Sequence, residues 1–365
     1  MKKQKILNLI KETPSISRED LARILQISTS SVAVYVSDLL KQNLISPDLT
    51  VAKNSQYAVV VGGVNLDIGG KSFAPLVMGD SNPGAVTLSL GGVGRNIAHN
   101  LALLGTNVAM LTAFGQDIHG DKIVSSSMEL GISMEHALRP EKAFTSTYLY
   151  VANSNGDMSV AVSDMSVCEK ITPDYLKNNA TLLGNSQVIV MDTNIPTESV
   201  DFLAKNATVP LFCDPVSTVK AEKLIPILNK IHTLKPNRAE AELLSGIKIT
   251  CKEEIQKAAE VLLEKGVQRI FLSLGGDGVY VATKEESFFM GNLPGNMVNT
   301  TGCGDAVMSA LVWSFMEKAD LKTSALSGLA AGSITMENAQ TINPAMSVKS
   351  IRKRIDESQY KENQL

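Results

Sequence analysis

The chain has 365 residues, of which 44% are hydrophobic and 19% charged, with a formal net charge of −3. That length exceeds one ordinary compact domain and predicts either a large domain with a small companion or two of ordinary size. The composition provides a sizeable core, and the near-neutral balance excludes nucleic acid or an anionic membrane met through overall charge, so any such partner must be met locally.

Cys168, Cys213, Cys251 and Cys303 stand far apart and form no CxxC pair. Neither a zinc site nor a disulfide framework is predicted, and reduced thiols in a cytoplasmic protein are the simplest expectation. The basic start "MKKQKILNLIKETP" meets Lys11 and Glu12 before a signal-peptide core can form, and no apolar run of about 18 residues occurs. Secretion and membrane spanning are not expected.

Residues 1–50 read as three short amphipathic helices, "KKQKILNLIKE", "SREDLARILQ" and "STSSVAVYVSDLLKQN", with Ser17 and Ser28 as N-caps. Three helices in fifty residues predict a small all-α, winged helix-turn-helix domain. In such a domain the third helix, from Ser28 to about Gln42, enters the major groove, and Lys2, Lys3, Lys5, Arg18, Arg23 and Lys41 face phosphates. That third helix starts with serine, threonine and valine rather than the Arg, Asn or Gln that read base edges bidentately. DNA binding and a dimerisation or appended module therefore both stay open.

From Tyr57 the texture changes. "YAVVVGG", "VAMLTAF", "SQVIVMD", "VPLFCD", "HTLKP" and "RIFLSLGG" are short apolar or β-branched runs, most of them followed by helical stretches such as "RNIAHNLALLG" and "CKEEIQKAAEVLLEKG". The alternation predicts a parallel sheet with helices on both faces over residues 57–365. Residues 70–90 and 143–163 alternate instead like antiparallel strands, the second around an Asn-Gly turn. They predict a small sheet that covers the open end of the main one as a lid.

Several signals fail on inspection. "IGGKS" lacks the P-loop glycine where Asn65 stands, and "GGVGRN" has Ile97 where a dinucleotide fingerprint needs its third glycine. The four histidines show no ligand spacing. Three other stretches carry two readings each. In "LKPNRAEAELLSG", Asn237 and Glu240 are spaced as a capping box, and the same pair suits water-mediated Mg²⁺ and phosphate binding. "SLGGDGVY" is a tight hairpin turn or a place where backbone approaches a nucleotide. In "NTTGCGDAVMSALVWSF", Asp305 is a helix cap or a base beside an anion hole made by glycine-flanked N–H groups and a helix dipole.

Taken together and in this order, "GGVGRNIAHNLALLG", "NRAE" and "NTTGCGDAVMSALV" resemble the signature regions and metal motif of the ribokinase-like (PfkB) sugar and nucleoside kinases. The resemblance runs from about residue 57 to the C-terminal helix. It implies a ribokinase-like three-layer α/β/α sandwich with a β-sheet lid, and ATP-dependent phosphorylation of a hydroxymethyl group. "VNLDIGG", "DSNPGAVTLSLGGVGRNIAHNLALLG", "DPVS" and "IHTLKPNRAEAELLSG" narrow it toward a nucleoside acceptor, with another nucleoside or a free sugar such as ribose left open.

Carried over by position, the resemblance makes Asp305 the catalytic base and Gly302, Cys303 and Gly304 the anion hole. Asn65, Asp67, Gly92 and Asn96 would hold the sugar, with Asp164 a further substrate contact from the lid. Asn237, Ser273, Gly275 and Gly278 would bind ATP, and Glu240 would bind Mg²⁺ through water. A homodimer is expected. Two departures stand out: Cys303 occupies a usual alanine position, and Asn299 stands where many members carry an aspartate that helps bind a monovalent cation, which puts potassium activation in doubt.

Overall fold

Ser17 and Ser28 start helices as expected. In the computed structural model, which describes residues 2–12, 16–41, 45 and 56–358, Ser17 Oγ accepts from the Asp20 N–H at 3.0 Å and Ser28 Oγ from the Ser31 N–H at 3.1 Å. Each oxygen satisfies a backbone donor that a first helical turn leaves open. The helices are α1 (Lys2–Glu12), α2 (Arg18–Leu25) and α3 (Thr29–Lys41), and their apolar faces close on a small core of Ile6, Ile10, Leu21, Val32, Val36 and Leu39. Of the basic residues expected to face phosphates, Lys3 pairs with Asp38 at 3.8 Å and Arg23 pairs with Asp20. Lys5 and Arg18 are exposed, while the Lys2 and Lys41 side chains, Gln42 and the wing expected before residue 56 lie outside the described residues.

The chain divides after Gln56, and Tyr57–Leu365 forms the second unit. In chain order this unit runs β1 (Tyr57–Val61), β2 (Asn65–Ser72), β3 (Gly84–Gly91), α4 (Val93–Leu103), β4 (Asn107–Leu111), α5 (Ile118–Glu129), β5 (Thr147–Ala152) and β6 (Met158–Asp164). It continues with α6 (Pro173–Asn178), α7 (Ala180–Gly184), β7 (Val188–Asp192), α8 (Thr197–Asn206), β8 (Leu211–Asp214), α9 (Thr218–Ala221), β9 (Thr233–Leu234), α10 (Arg238–Ser245) and α11 (Lys252–Glu264). Then come β10 (Arg269–Ser273), β11 (Val279–Ala282), β12 (Ser287–Met290), α12 (Cys303–Met316), α13 (Leu321–Met336) and α14 (Val348–Glu357).

Eight strands form the main sheet in the order β12-β11-β10-β9-β8-β7-β1-β4. From β4 to β10 all pairings are parallel, and β11 and β12 join antiparallel at one edge. Strand side chains alternate between faces. Val59 and Val61 accordingly pack in one core with α8, α10 and α11, whereas Ala58 and Val60 pack in the other with α4, α12 and α13. Both faces are covered, so the strands need continuous apolar runs, and the three-layer sandwich follows. The parallel strands carry their carboxyl ends to one side, where open α/β sheets bind ligands.

The lid is a four-stranded sheet ordered β3-β2-β5-β6. It starts earlier than the expected residue 70, because β2 begins at Asn65, with only three residues between it and the end of β1. Asn65 and Asp67 of "VNLD" thus lie on lid strand rather than before it. Cross-strand registers put Ile68, Leu88, Leu149 and Val162 on one face with Val86, Val151 and Val160, and put Asp67, Tyr148 and Tyr150 on the other.

Candidate active site

The chain enters α12 through Gly302, whose φ of 84° lies in the left-handed region. A Cβ at this position would meet the Thr341 carbonyl oxygen at 2.4 Å, so glycine is required both by conformation and by space. No side chain caps this helix. The Cys303 N–H turns back to the Thr300 carbonyl at 3.2 Å. The N–H groups of Gly302 and Gly304 have no acceptor among the described residues. Of the three groups expected to form the anion hole, two are therefore open and one braces the turn.

Asp305 stands in the first turn of α12, half-buried. Its Oδ2 accepts from Asn96 Nδ2 at 2.8 Å, which joins α12 to α4. Burial, with the like charge of Asp214, pushes the Asp305 carboxyl up to about 7, while the Asn96 hydrogen bond and the Lys235 ammonium oppose the rise. A base whose pKa lies near 7 is suited to taking a proton from a hydroxyl and releasing it afterwards. Asn96 Oδ1 is buried and has no partner. An orphaned buried acceptor beside a carboxyl group is able to take a hydrogen bond from an incoming hydroxyl.

Two residues that the sequence did not single out complete this centre. Lys235 follows β9, with its side chain buried, and its Nζ lies 3.1 Å from Asp214 Oδ2 at the end of β8. Burial pulls the ammonium down, but Asp214, Glu240 and Asp305 outweigh it and hold Lys235 above the usual range. A Cβ on Gly304 would come within 3.3 Å of this Nζ. Glycine at 304 thus leaves room for a cation over the anion-hole loop. A third missed residue, Asp192 at the end of β7, accepts from the N–H groups of Gly63, Gly94 and Asn194 at 2.9, 2.7 and 2.8 Å. It ties the start of α4, and with it Asn96, to the sheet.

The expected sugar contacts lie close by. Asn65 Nδ2 donates to Asp67 Oδ1 at 2.5 Å, and burial raises the Asp67 carboxyl against this bond and the charge of Arg95. Gly92, with φ of 98°, starts α4 where a Cβ would strike the Gly63 carbonyl at 2.5 Å and approach Asn65. Asp164 stands apart from these. It is exposed, and its Oδ1 accepts from the Ser166 N–H at 3.0 Å, which caps the turn after β6.

Asn237 and Glu240 form the capping box: the Glu240 N–H donates to Asn237 Oδ1 and the Asn237 N–H to Glu240 Oε2, both at 2.9 Å. Burial holds the Glu240 carboxyl above its usual range. The Ser273 N–H donates to the Pro236 carbonyl at 2.8 Å, placing the β10–β11 hairpin beside this helix start. At Gly275 an added Cβ would meet nothing within 4 Å, whereas Gly278, with φ of 95°, would strike the Met290 carbonyl. Gly275, with φ of 62°, and Gly278 are both left-handed turn positions, and only Gly275 faces open space.

No group of three or more His, Cys, Asp or Glu side chains that could hold a metal occurs among the described residues. Glu240 alone, with one oxygen committed to the cap, suits a magnesium ion that arrives on phosphates and keeps its waters, and does not suit a resident metal cage. The four cysteines are free. No helix among the described residues is long and apolar enough to cross a membrane.

Comparison with known proteins agrees with this architecture. Residues 55–348 match the model of the pfkB family of carbohydrate kinases, and residues 2–46 match a winged helix-turn-helix DNA-binding family. The chain is 38% identical over 301 residues to a pseudouridine kinase of Escherichia coli, covering 82% of this chain and 96% of that protein. An uncharacterised sugar kinase of the same organism is 34% identical over 348 residues, 95% of this chain and 96% of its own length. Among solved structures, a putative sugar kinase from Clostridium perfringens superposes with a TM-score of 0.75 at 30% identity, covering 84% of this chain and 97% of that one.

Proposed function

Because the chain belongs to the pfkB carbohydrate kinase family, and is therefore a phosphotransferase with a hydroxyl acceptor, we propose that it phosphorylates pseudouridine at the 5′-hydroxyl, giving pseudouridine 5′-phosphate and ADP. The observation that carries the reading is the hydrogen bond between Asn96 and Asp305, within the electrostatic reach of the Lys235 ammonium. The choice of nucleoside is supported by the 38% identity to the E. coli enzyme.

In this mechanism the ribose lies against Asn65, Asp67 and the Gly92 turn, with its 5′-hydroxyl between Asp305 and the unpartnered Asn96 Oδ1. Asp305 takes the hydroxyl proton as the oxygen attacks the γ-phosphoryl group in line. The open N–H groups of Gly302 and Gly304, the positive end of α12 and Lys235 stabilise charge on the transferred group. Phosphoryl transfer asks mainly for positioning and charge stabilisation. ATP lies across Asn237, Ser273, Gly275 and the Gly278 turn. Glu240 would hold a water of a magnesium ion arriving on these phosphates, an ion that would neutralise part of their charge. Purified protein assayed with pseudouridine, uridine, inosine, cytidine and ribose tests the substrate; a clear preference for any acceptor but pseudouridine refutes it.

A second role is favoured by the N-terminal unit. Its three helices packed on one small core, two of them capped by serine, and its match to a DNA-binding family support a regulator that binds DNA while the kinase unit binds nucleoside. A gel-shift assay on the upstream region of its own gene, with and without nucleoside, reads this directly. Absence of salt-sensitive binding to any sequence removes it.

Homodimerisation is supported by the apolar face of the lid. Val86, Leu88, Leu149, Val160 and Val162 share that face and are all exposed in the single chain. A contiguous aliphatic sheet face of this kind marks an interaction surface, and the lid of a second copy offers the same chemistry.

A further inference from the structure

Asn299 immediately precedes the anion-hole turn. Its Oδ1 accepts from the Thr301 N–H at 3.0 Å, and its Nδ2 donates to the Ala339 carbonyl at 3.0 Å. The first contact fixes the orientation of the amide, since only the oxygen can face an N–H, so the nitrogen necessarily faces the carbonyl. The backbone repeats the connection: the N–H groups of Val298 and Asn299 both donate to the Met336 carbonyl, at 2.8 and 3.1 Å. Gly302 then passes directly under the Thr341 carbonyl. The end of α13 and the segment after it thus hold the approach to the phosphoryl site at several points, and the side chain of Asn299 makes one of them.

An aspartate in the same position would set a carboxylate oxygen against the Ala339 carbonyl oxygen. Two acceptors at hydrogen-bond distance repel, and only a cation between them turns the contact into an attraction. The amide needs no such ion. Its N–H makes the contact directly, and 3.0 Å between nitrogen and oxygen leaves no space for an ion on that line. The residues present therefore do not fit the monovalent cation that the family resemblance implies.

We infer that in this chain the Asn299 amide replaces a monovalent cation, joining the Thr301 N–H of the anion-hole loop to the Ala339 carbonyl by hydrogen bonds and making nucleotide binding independent of potassium. Asn299 is a positioning residue: it acts on the phosphate through the Gly302–Gly304 loop. This rests on the kinase reading, so the test uses Mg·ATP binding, which needs no acceptor to be identified.

Calorimetric titration of the full chain with Mg·ATP is compared in KCl, NaCl and tetramethylammonium chloride at equal ionic strength. The wild type should bind with the same affinity, within about twofold, in all three. Asn299→Asp should bind about tenfold more weakly in tetramethylammonium and recover in KCl, and Asn299→Ala should be weakened in every salt without recovery. A neutral hydrogen bond lost or regained is worth up to about a factor of this size. Wild-type binding that is tenfold tighter in KCl than in tetramethylammonium overturns the inference, and this comparison needs no variant to fold. Failure to bind Mg·ATP in any salt would refute the kinase reading itself, a distinguishable result.

Discussion

Asn96 donates to Asp305 at 2.8 Å across the junction of α4 and α12, so the first signature stretch and the anion-hole stretch, some two hundred residues apart, meet in one hydrogen bond. The bond stabilises the ionised form of the base. Asn96→Ala should therefore lower kcat by roughly 10- to 100-fold, the usual value of a hydrogen bond to a charged group. It should also move the acidic limb of the kcat/KM profile to higher pH. An unshifted limb would make Asn96 a substrate contact only.

Asp305 must be ionised to accept a proton, and burial together with Asp214 brings its pKa to about 7. The rate should accordingly rise about tenfold per pH unit below 7 and level off above it. Asp214→Asn removes the like charge, so its limb should move to lower pH. A profile flat from pH 5 to 8 would contradict the assignment of the base.

Lys235 and Asp214 form a buried ion pair. Truncating one partner leaves a buried charge alone, which typically costs about 3–5 kcal/mol. Lys235→Met should lower both melting temperature and turnover. Replacing Asp214 by Asn in the same chain should restore the melting temperature but not the turnover, because no cation then stands over the loop. Recovery of both would reduce Lys235 to a structural residue. Gly304→Ala, whose Cβ would sit 3.3 Å from the ammonium, should weaken ATP binding with little loss of stability.

The sandwich was legible because its strands are buried on both faces and so read as unbroken apolar runs, "YAVVV" most clearly. Asp305 and Gly302 were legible because a tight turn into a buried helix demands small residues in a fixed order. The lid boundary was not: "VNLDIGG" carries Asn, Asp and two glycines that weaken any strand pattern, and its pairing with β3 and β5 sets its extent. Lys235, Asp214 and Asp192 sit at ends of different strands, and only the sheet order brings them together. The partner of Asn299 is likewise forty residues away in sequence.

Leu88 and Val160 lie on the exposed aliphatic face of the lid. The wild type should scatter light as a dimer, and replacing either residue with a charged one should give a monomer. A wild-type protein that is already monomeric at micromolar concentration would dispose of the proposed interface.

The most direct test of the central claim is single-turnover phosphorylation of pseudouridine by Asp305→Asn. Folding is not at risk: because burial raises the Asp305 pKa above its unfolded value, its ionised form lowers stability as pH rises, and the variant should melt no lower than wild type at pH 8. With ATP still bound, turnover should fall by roughly 10² to 10⁴ fold, the value of general acid–base assistance. Turnover within a few fold of wild type would contradict the account.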